Sequence, residues 1–199
     1  MKLIGTLTSP YARKARLVLL EKNIPHEFVN DSPQGSLALK ANPMGRIPAL
    51  ILDDGFCVFD STVIAEYADT LNDDPVLIPR LDQRARLRVK RWEALCDGIA
   101  DSAVVVRTER MRDADKQDQG VLNLHNTAIS NALDYASSQL GKSEWCECGA
   151  ITLADLAMIS ALTYLDLRQP ERDWKAAHPN LAAWFEKMGQ RKSVIAAGG

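Results

Sequence analysis

Asn42-Pro43-Met44-Gly45-Arg46-Ile47-Pro48, Ala49-Leu50-Ile51-Leu52, Asp53-Asp54-Gly55, Cys57-Val58-Phe59 and Asp60-Ser61 form the stretch on which the reading of this chain turns. Asn-Pro with a glycine two residues later marks a turn. Pro48 biases Ile47 toward an extended backbone, because its ring crowds the residue before it. Two short apolar runs flank Asp53-Asp54-Gly55, and Asp-Gly suits a tight turn that needs positive φ, so they read as a β-hairpin. Asp60-Ser61 then caps a helix whose apolar stripe is Val63, Ile64, Tyr67, Ala68 and Leu71. A constrained X-Pro bond, an acid and a hydroxyl are thus brought toward one helix N-terminus. Such a set suits a small anionic or peptide-like ligand.

Upstream, Lys2 to Leu7 reads as a strand. Ser9 is a good N-cap and Pro10 suits the first helical position, where its missing N–H is not needed. That helix is predicted to run to about Lys22, with Asn23 and Pro25 ending it. His26 to Asn30 alternates and reads as a second strand. Strand, helix, strand makes a βαβ unit, expected to be parallel with a right-handed crossover. A polar loop with one helical turn at Leu37 to Ala41 leads into the opening stretch. These elements define a small α/β domain over residues 1–74.

Residues 75–80, with Pro75 and Pro79, read as a linker. Beyond it, over residues 81–199, the pattern is all-helical. Helices are predicted at Gln83–Arg110, weakened locally by Gly98, and at Asp118–Leu140. A third begins at Thr152-Leu153-Ala154-Asp155, a capping box with Asp in the place of the more usual Glu or Gln. A last one follows His178-Pro179-Asn180 and runs through Met188. The fold class is therefore α/β followed by all-α.

Composition excludes several functions. The chain is 46% apolar and 25% charged, as in ordinary globular proteins. Its formal net charge of -2 argues against a nucleic-acid binder. No apolar run approaches the roughly 18 residues of a membrane span, and the N-terminus lacks a signal-peptide layout. A cytoplasmic protein is expected, with its cysteines as thiols. Cys57 is expected to be buried in the hairpin and Cys96 within the long helix. Cys146-Glu147-Cys148 has the wrong spacing for zinc, and His26, His125 and His178 form no metal pattern, so no metal is expected. The run Arg80, Arg84, Arg86, Arg88, Lys90 and Arg91 reads as a solvated or subunit-facing surface.

Four features, in order, carry a resemblance: Ser9-Pro10-Tyr11 at a strand–helix junction, Asn42 to Pro48, Asp60-Ser61, and Thr152 to Asp155. Together they resemble a soluble, bacterial-type glutathione S-transferase of the serine kind. The resemblance covers essentially the whole chain. It implies a thioredoxin-like N-terminal domain of order βαβαββα and a helical C-terminal domain. It implies glutathione as co-substrate, a homodimer, and a cis Ile47–Pro48 bond with Ile47 pairing its backbone to the cysteinyl part of glutathione. Asp60 would meet the γ-glutamyl ammonium and Ser61 the neighbouring carboxylate. Arg46, or less directly Lys40, would reach the glycyl carboxylate. Ser9 would stabilise the thiolate, with Thr8 as its rival and Tyr11 less suited. Tyr11, Asp101 and Val105, with Val104 and Thr108, would line the site of a small apolar electrophile.

Magnitudes bear on Ser9. An unperturbed thiol titrates near 8.5. A helix N-terminus contributes about 0.3–1 kcal/mol, up to roughly 2 when sheltered. One pKa unit is about 1.4 kcal/mol, so the dipole supplies about one unit at most and a hydroxyl must add more. Serine cannot form a mixed disulfide, which disfavours thiol–disulfide exchange at this position. Two other readings stand beside conjugation: a non-enzymatic binding or regulatory protein of the same fold, and a glutathione-dependent isomerase or peroxidase.

Overall fold

A computed structural model describes residues 1–198. β1 (Lys2–Gly5), α1 (Pro10–Glu21) and β2 (Glu27–Asn30) form the βαβ unit, with β1 and β2 parallel. α2 (Ser36–Ala41), the hairpin strands β3 (Ala49–Ile51) and β4 (Cys57–Phe59), and α3 (Ser61–Thr70) complete the order βαβαββα. The sheet order is β2-β1-β3-β4, with β3 antiparallel to both its neighbours. Alternate residues face opposite ways along each strand. Leu3, Leu50 and Val58 join the main core with Leu17 and Ile64, whereas Ile4 and Ala49 form a small cluster with Ala41 of α2.

Register brings the site together. Ile4 pairs with Ala49 and Ala49 with Phe59. The end of β1, the Ile47-Pro48 dipeptide before β3, and Asp60-Ser61 after β4 therefore lie along one end of the sheet. β1 is shorter than predicted, stopping at Gly5 and not at Leu7. The chain turns there, with Ser9 N–H donating to Thr6 O at 3.2 Å. A Cβ on Gly5 would sit 2.6 Å from Ala12 Cβ, so glycine lets α1 pass close over the strand end.

The helical half comprises α4 (Gln83–Arg110), α5 (Gln119–Leu140), α6 (Leu153–Arg168), α7 (Trp174–Ala177), α8 (Pro179–Gly189) and α9 (Lys192–Ala196). α4 continues through Gly98, where an added Cβ would meet nothing. α6 is apolar and buried on almost every side, packed between α1, α4 and α8. Its Asp155 Oδ2 accepts from the Thr152 N–H at 2.8 Å and hydroxyl at 3.0 Å, and its Oδ1 from Cys146 N–H at 2.8 Å. One carboxylate thus serves the helix start and the loop before it.

The pattern did not register α7, α9 or the single 3-10 turn at Ala114–Lys116. Elements of one turn show no period; α7 exists because Asp173 accepts from Ala176 N–H at 3.2 Å. Residues 75–80 are not loose. Leu77 and Ile78 are buried, and their N–H groups donate to the Asp69 carboxylate at 2.8 and 3.3 Å. Cys57 is half-buried, not enclosed, because its hairpin lies at the sheet edge; Cys96 is buried. Among the described residues no helix is long and apolar enough to cross a membrane.

Candidate active site at the N-termini of α1 and α3

Ser9 is half-buried with extended backbone at the start of α1. Its Oγ accepts from Ala12 N–H at 3.2 Å, as an N-cap should. No protein acceptor among the described residues takes its own proton. Thr8 is exposed, its hydroxyl 3.5 Å from that of Thr6.

The loop before β3 is fixed from within. Buried Asn42 accepts from Met44 N–H at 2.9 Å and donates to Arg46 O at 3.2 Å. Gln34 N–H donates to Gly45 O at 2.8 Å, and its amide to Met44 O at 3.0 Å. Gly45 has φ +61, and the Gln34 amide nitrogen lies 2.6 Å from where a Cβ would be, so glycine suits the turn and leaves the Gln34 amide its place. The Ile47–Pro48 bond is cis. Pro48 is buried and Ile47 half-buried. Arg46 is exposed and forms no ion pair among the described residues.

At the start of α3, Asp60 has φ +72 and ψ 129, a backbone that residues with a Cβ rarely adopt. Such strain marks places where geometry serves a function. Asp60 Oδ1 accepts from Thr62 N–H at 2.8 Å, leaving Oδ2 free. Ser61 is buried, and its hydroxyl has no protein partner among the described residues.

Across the cleft, the Tyr11 hydroxyl donates to the Asp101 carboxylate of α4. Burial pushes the Tyr11 phenol well above its ordinary range, and the bond to Asp101 adds to the shift. Tyr11 therefore stays protonated, with its proton already committed. Val105, one turn further along α4, is half-buried. The crevice beneath Tyr11, lined by Lys14, Cys96, Asp97 and Ala157, has no room for a water.

A network under this cleft joins α1, α3 and α4. Lys14, 1% exposed, reaches Glu93 at 2.9 Å and Asp97 at 2.7 Å, with the Thr62 hydroxyl at 3.4 Å. Glu93 also pairs with Lys90, which reaches Glu66 at 2.8 Å. Burial opposes the Lys14 charge, yet Asp97 and Glu93 hold it above the ordinary ammonium range. Burial likewise opposes ionisation of Glu93, yet Lys14 and Lys90 hold it below the usual carboxylate range. Asp97 is pushed up by burial despite Lys14.

The glutathione S-transferase N-terminal domain model matches residues 8–71, and the glutathione S-transferase C-terminal domain model matches residues 108–187. The GST-like protein YibF of Escherichia coli K12 is 36% identical over 97% of this chain and 96% of its own length. The chain belongs to the glutathione S-transferase family. A glutathione S-transferase from Methylobacillus flagellatus KT, solved with GSH bound, is 39% identical, covers 98% of both chains and superposes with a TM-score of 0.94. One from Methylobacterium radiotolerans JCM 2831, in complex with glutathione sulfonate, is 35% identical over 98% of this chain and 93% of its own, with a TM-score of 0.94.

In this glutathione S-transferase, register sets the end of β1, which leads to Ser9, the Ile47-Pro48 dipeptide and the Asp60-Ser61 pair along one end of the sheet. Tyr11 and Asp101 meet directly across the two halves of the chain. Sequence reasoning missed Lys14, Gln34 and the structural part of Asn42. One signal was available for Lys14: Glu93, Asp97 and Asp101 recur every fourth residue and so share a face of α4. A lysine on α1 is the partner such an acidic row needs if it is buried.

Proposed function

We propose that this chain is a glutathione transferase in which Ser9 stabilises the thiolate of bound glutathione for attack on a small, largely apolar electrophile. The observation that carries the reading is the state of Ser9. Its oxygen is engaged by Ala12 N–H, which fixes the rotamer, while its proton is free to be given to a sulfur at the α1 N-terminus. Tyr11 cannot serve equally, because its proton goes to Asp101. Ile47 offers its backbone to the cysteinyl unit, Asp60 Oδ2 the γ-glutamyl ammonium an anion, and Ser61 with the α3 N-terminus a carboxylate site. Arg46, with no protein partner, is available to the glycyl carboxylate. The thiolate pair forms the carbon–sulfur bond, and the leaving group departs with the electrons of its own bond.

A homodimer fits the surface. The hairpin tip carries Asp53, Asp54 and exposed Phe56, while the first half of α4 exposes Leu87 among Arg84 and Arg91. Four free cysteines fit a reducing, cytoplasmic setting. Calorimetry with glutathione tests the reading first, and no binding at millimolar ligand refutes it. If glutathione binds, Ser9→Ala is expected to raise the pKa of the bound thiol by about one unit, read from thiolate absorbance. An unchanged pKa would move the role to Thr8. A panel of electrophiles, an isomerisation substrate and a hydroperoxide then separates conjugation from the other glutathione chemistries.

A further inference from the structure

Where α1 meets α4, Tyr11 and Asp101 present acceptor oxygens side by side. Tyr11 gives its proton to Asp101, so its phenol oxygen can only accept. Asp101 is exposed, and one carboxylate oxygen remains beyond the tyrosine bond. No lysine, arginine or histidine among the described residues pairs with it. Of the nearby cations, Lys14 is held by Glu93 and Asp97, and Lys90 and Arg86 by Glu66. Arg168 lies over the Tyr164 ring, 5.7 Å from its centroid, and pairs with no carboxylate among the described residues, Asp101 included. Asp101 is thus the one carboxylate of the row Glu93, Asp97, Asp101 that no cation neutralises. Beside it, Val105 and Val104 give a half-buried apolar surface.

We infer that Asp101, oriented by Tyr11, sets electrophile specificity, and that the favoured electrophiles carry a hydrogen-bond donor or a positive charge on an otherwise apolar body. This rests on the reading of the chain as a glutathione transferase. A ligand with a donor replaces the water that Asp101 gives up when the cleft fills; a carboxylate in the same place meets like charge and acceptors alone.

Three glutathione conjugates of similar size test it by calorimetry: S-(4-aminomethylbenzyl)-, S-(4-hydroxymethylbenzyl)- and S-(4-carboxybenzyl)glutathione, with glutathione as reference. Affinity is expected to fall in that order, the first binding at least about tenfold tighter than the last, as for opposite charges a few ångströms apart in a partly sheltered site. Asp101→Asn keeps an acceptor for Tyr11 but removes the charge, and is expected to shrink the ratio to about threefold or less. Tyr11→Phe keeps the charge but removes the donor that orients it, so the ratio is expected to fall between those of the parent and Asp101→Asn. Equal affinities in the parent protein, or a ratio that survives Asp101→Asn, overturn the inference. Failure of glutathione itself to bind removes the transferase reading and this inference together, whereas tight glutathione binding with a flat series removes this inference alone.

Discussion

At the start of α1, Ser9 accepts from Ala12 N–H at 3.2 Å and its own proton has no taker. At the other end, Lys22 donates to Asp69 at 3.2 Å and to the carbonyls of Asn72 and Pro75, both at 2.7 Å. Ser9 is half-buried beside solvent, whereas Lys22 is 1% exposed. One helix therefore has an end with unused hydrogen-bonding capacity and an end with none. Buried polar groups must be satisfied within the protein, and Lys22 is. A free donor at an accessible helix start is available to a ligand. Lys14 lies between the two: as enclosed as Lys22, yet part of the floor under Tyr11 and Asp101.

Breaking the saturated end should cost most. Lys22→Ala leaves Asp69 buried, with two N–H donors and a distant Arg80 but without its ammonium. Loss of one member of a buried pair costs about 3–5 kcal/mol, read as a fall in the denaturant midpoint. Replacing both members by apolar residues, Lys22→Met with Asp69→Leu, is expected to recover most of that loss. No recovery would mean that the carboxylate's bonds to Leu77 and Ile78, and not the ion pair, hold residues 75–80 in place.

Lys14→Met should cost less, about 2–3 kcal/mol at pH 7, because Glu93 keeps Lys90 and the Asp97 side chain is 28% exposed. Its pH dependence carries more information. Glu93 has a depressed folded pKa, so its contribution is present above the unfolded value near 4.3 and is lost as pH falls through the folded one. Lys14 has a raised folded pKa, so its contribution is present below about 10.4 and is lost as pH rises through the folded value. The stability gap between parent and variant should thus be widest at neutral pH and narrow toward both limits. A gap that stays constant from pH 3 to pH 7 would remove Glu93 from the account.

What the sequence made legible follows the same divide. The caps at Ser9, Asp60 and Thr152, the hairpin, the X-Pro loop and the span Gln83–Arg110 are local signals, and each is where it was predicted. The partners of Lys22 were not legible and those of Lys14 only as an acidic row on α4, because lysines belong at the surface by default and their partners lie 47 and 79 residues away. Nor was the meeting of Tyr11 and Asp101, 90 residues apart, which decides which hydroxyl is free. The positive φ of Asp60 was hidden too, since Asp caps many helices from ordinary extended backbone. Candidate residues could be named from the chain, but whether each is free or committed required the fold.

The smallest stability effect belongs to the open end, and there stability and rate should separate. Ser9→Ala removes one cap and is expected to cost about 1 kcal/mol; Ser9→Gly, which keeps N-cap backbone geometry, should cost only a few tenths. Both lose the donor, so both should slow conjugation at pH 6.5 by about tenfold, the consequence of one pKa unit at a pH where the thiol is mostly protonated. Ser9→Thr keeps cap and donor and should retain most of the rate. If rate instead follows stability across the three variants, with Ser9→Gly near the parent and Ser9→Ala slow, then Ser9 acts only by holding the helix start. The free proton that distinguishes it from Lys22 would then have no part in the chemistry.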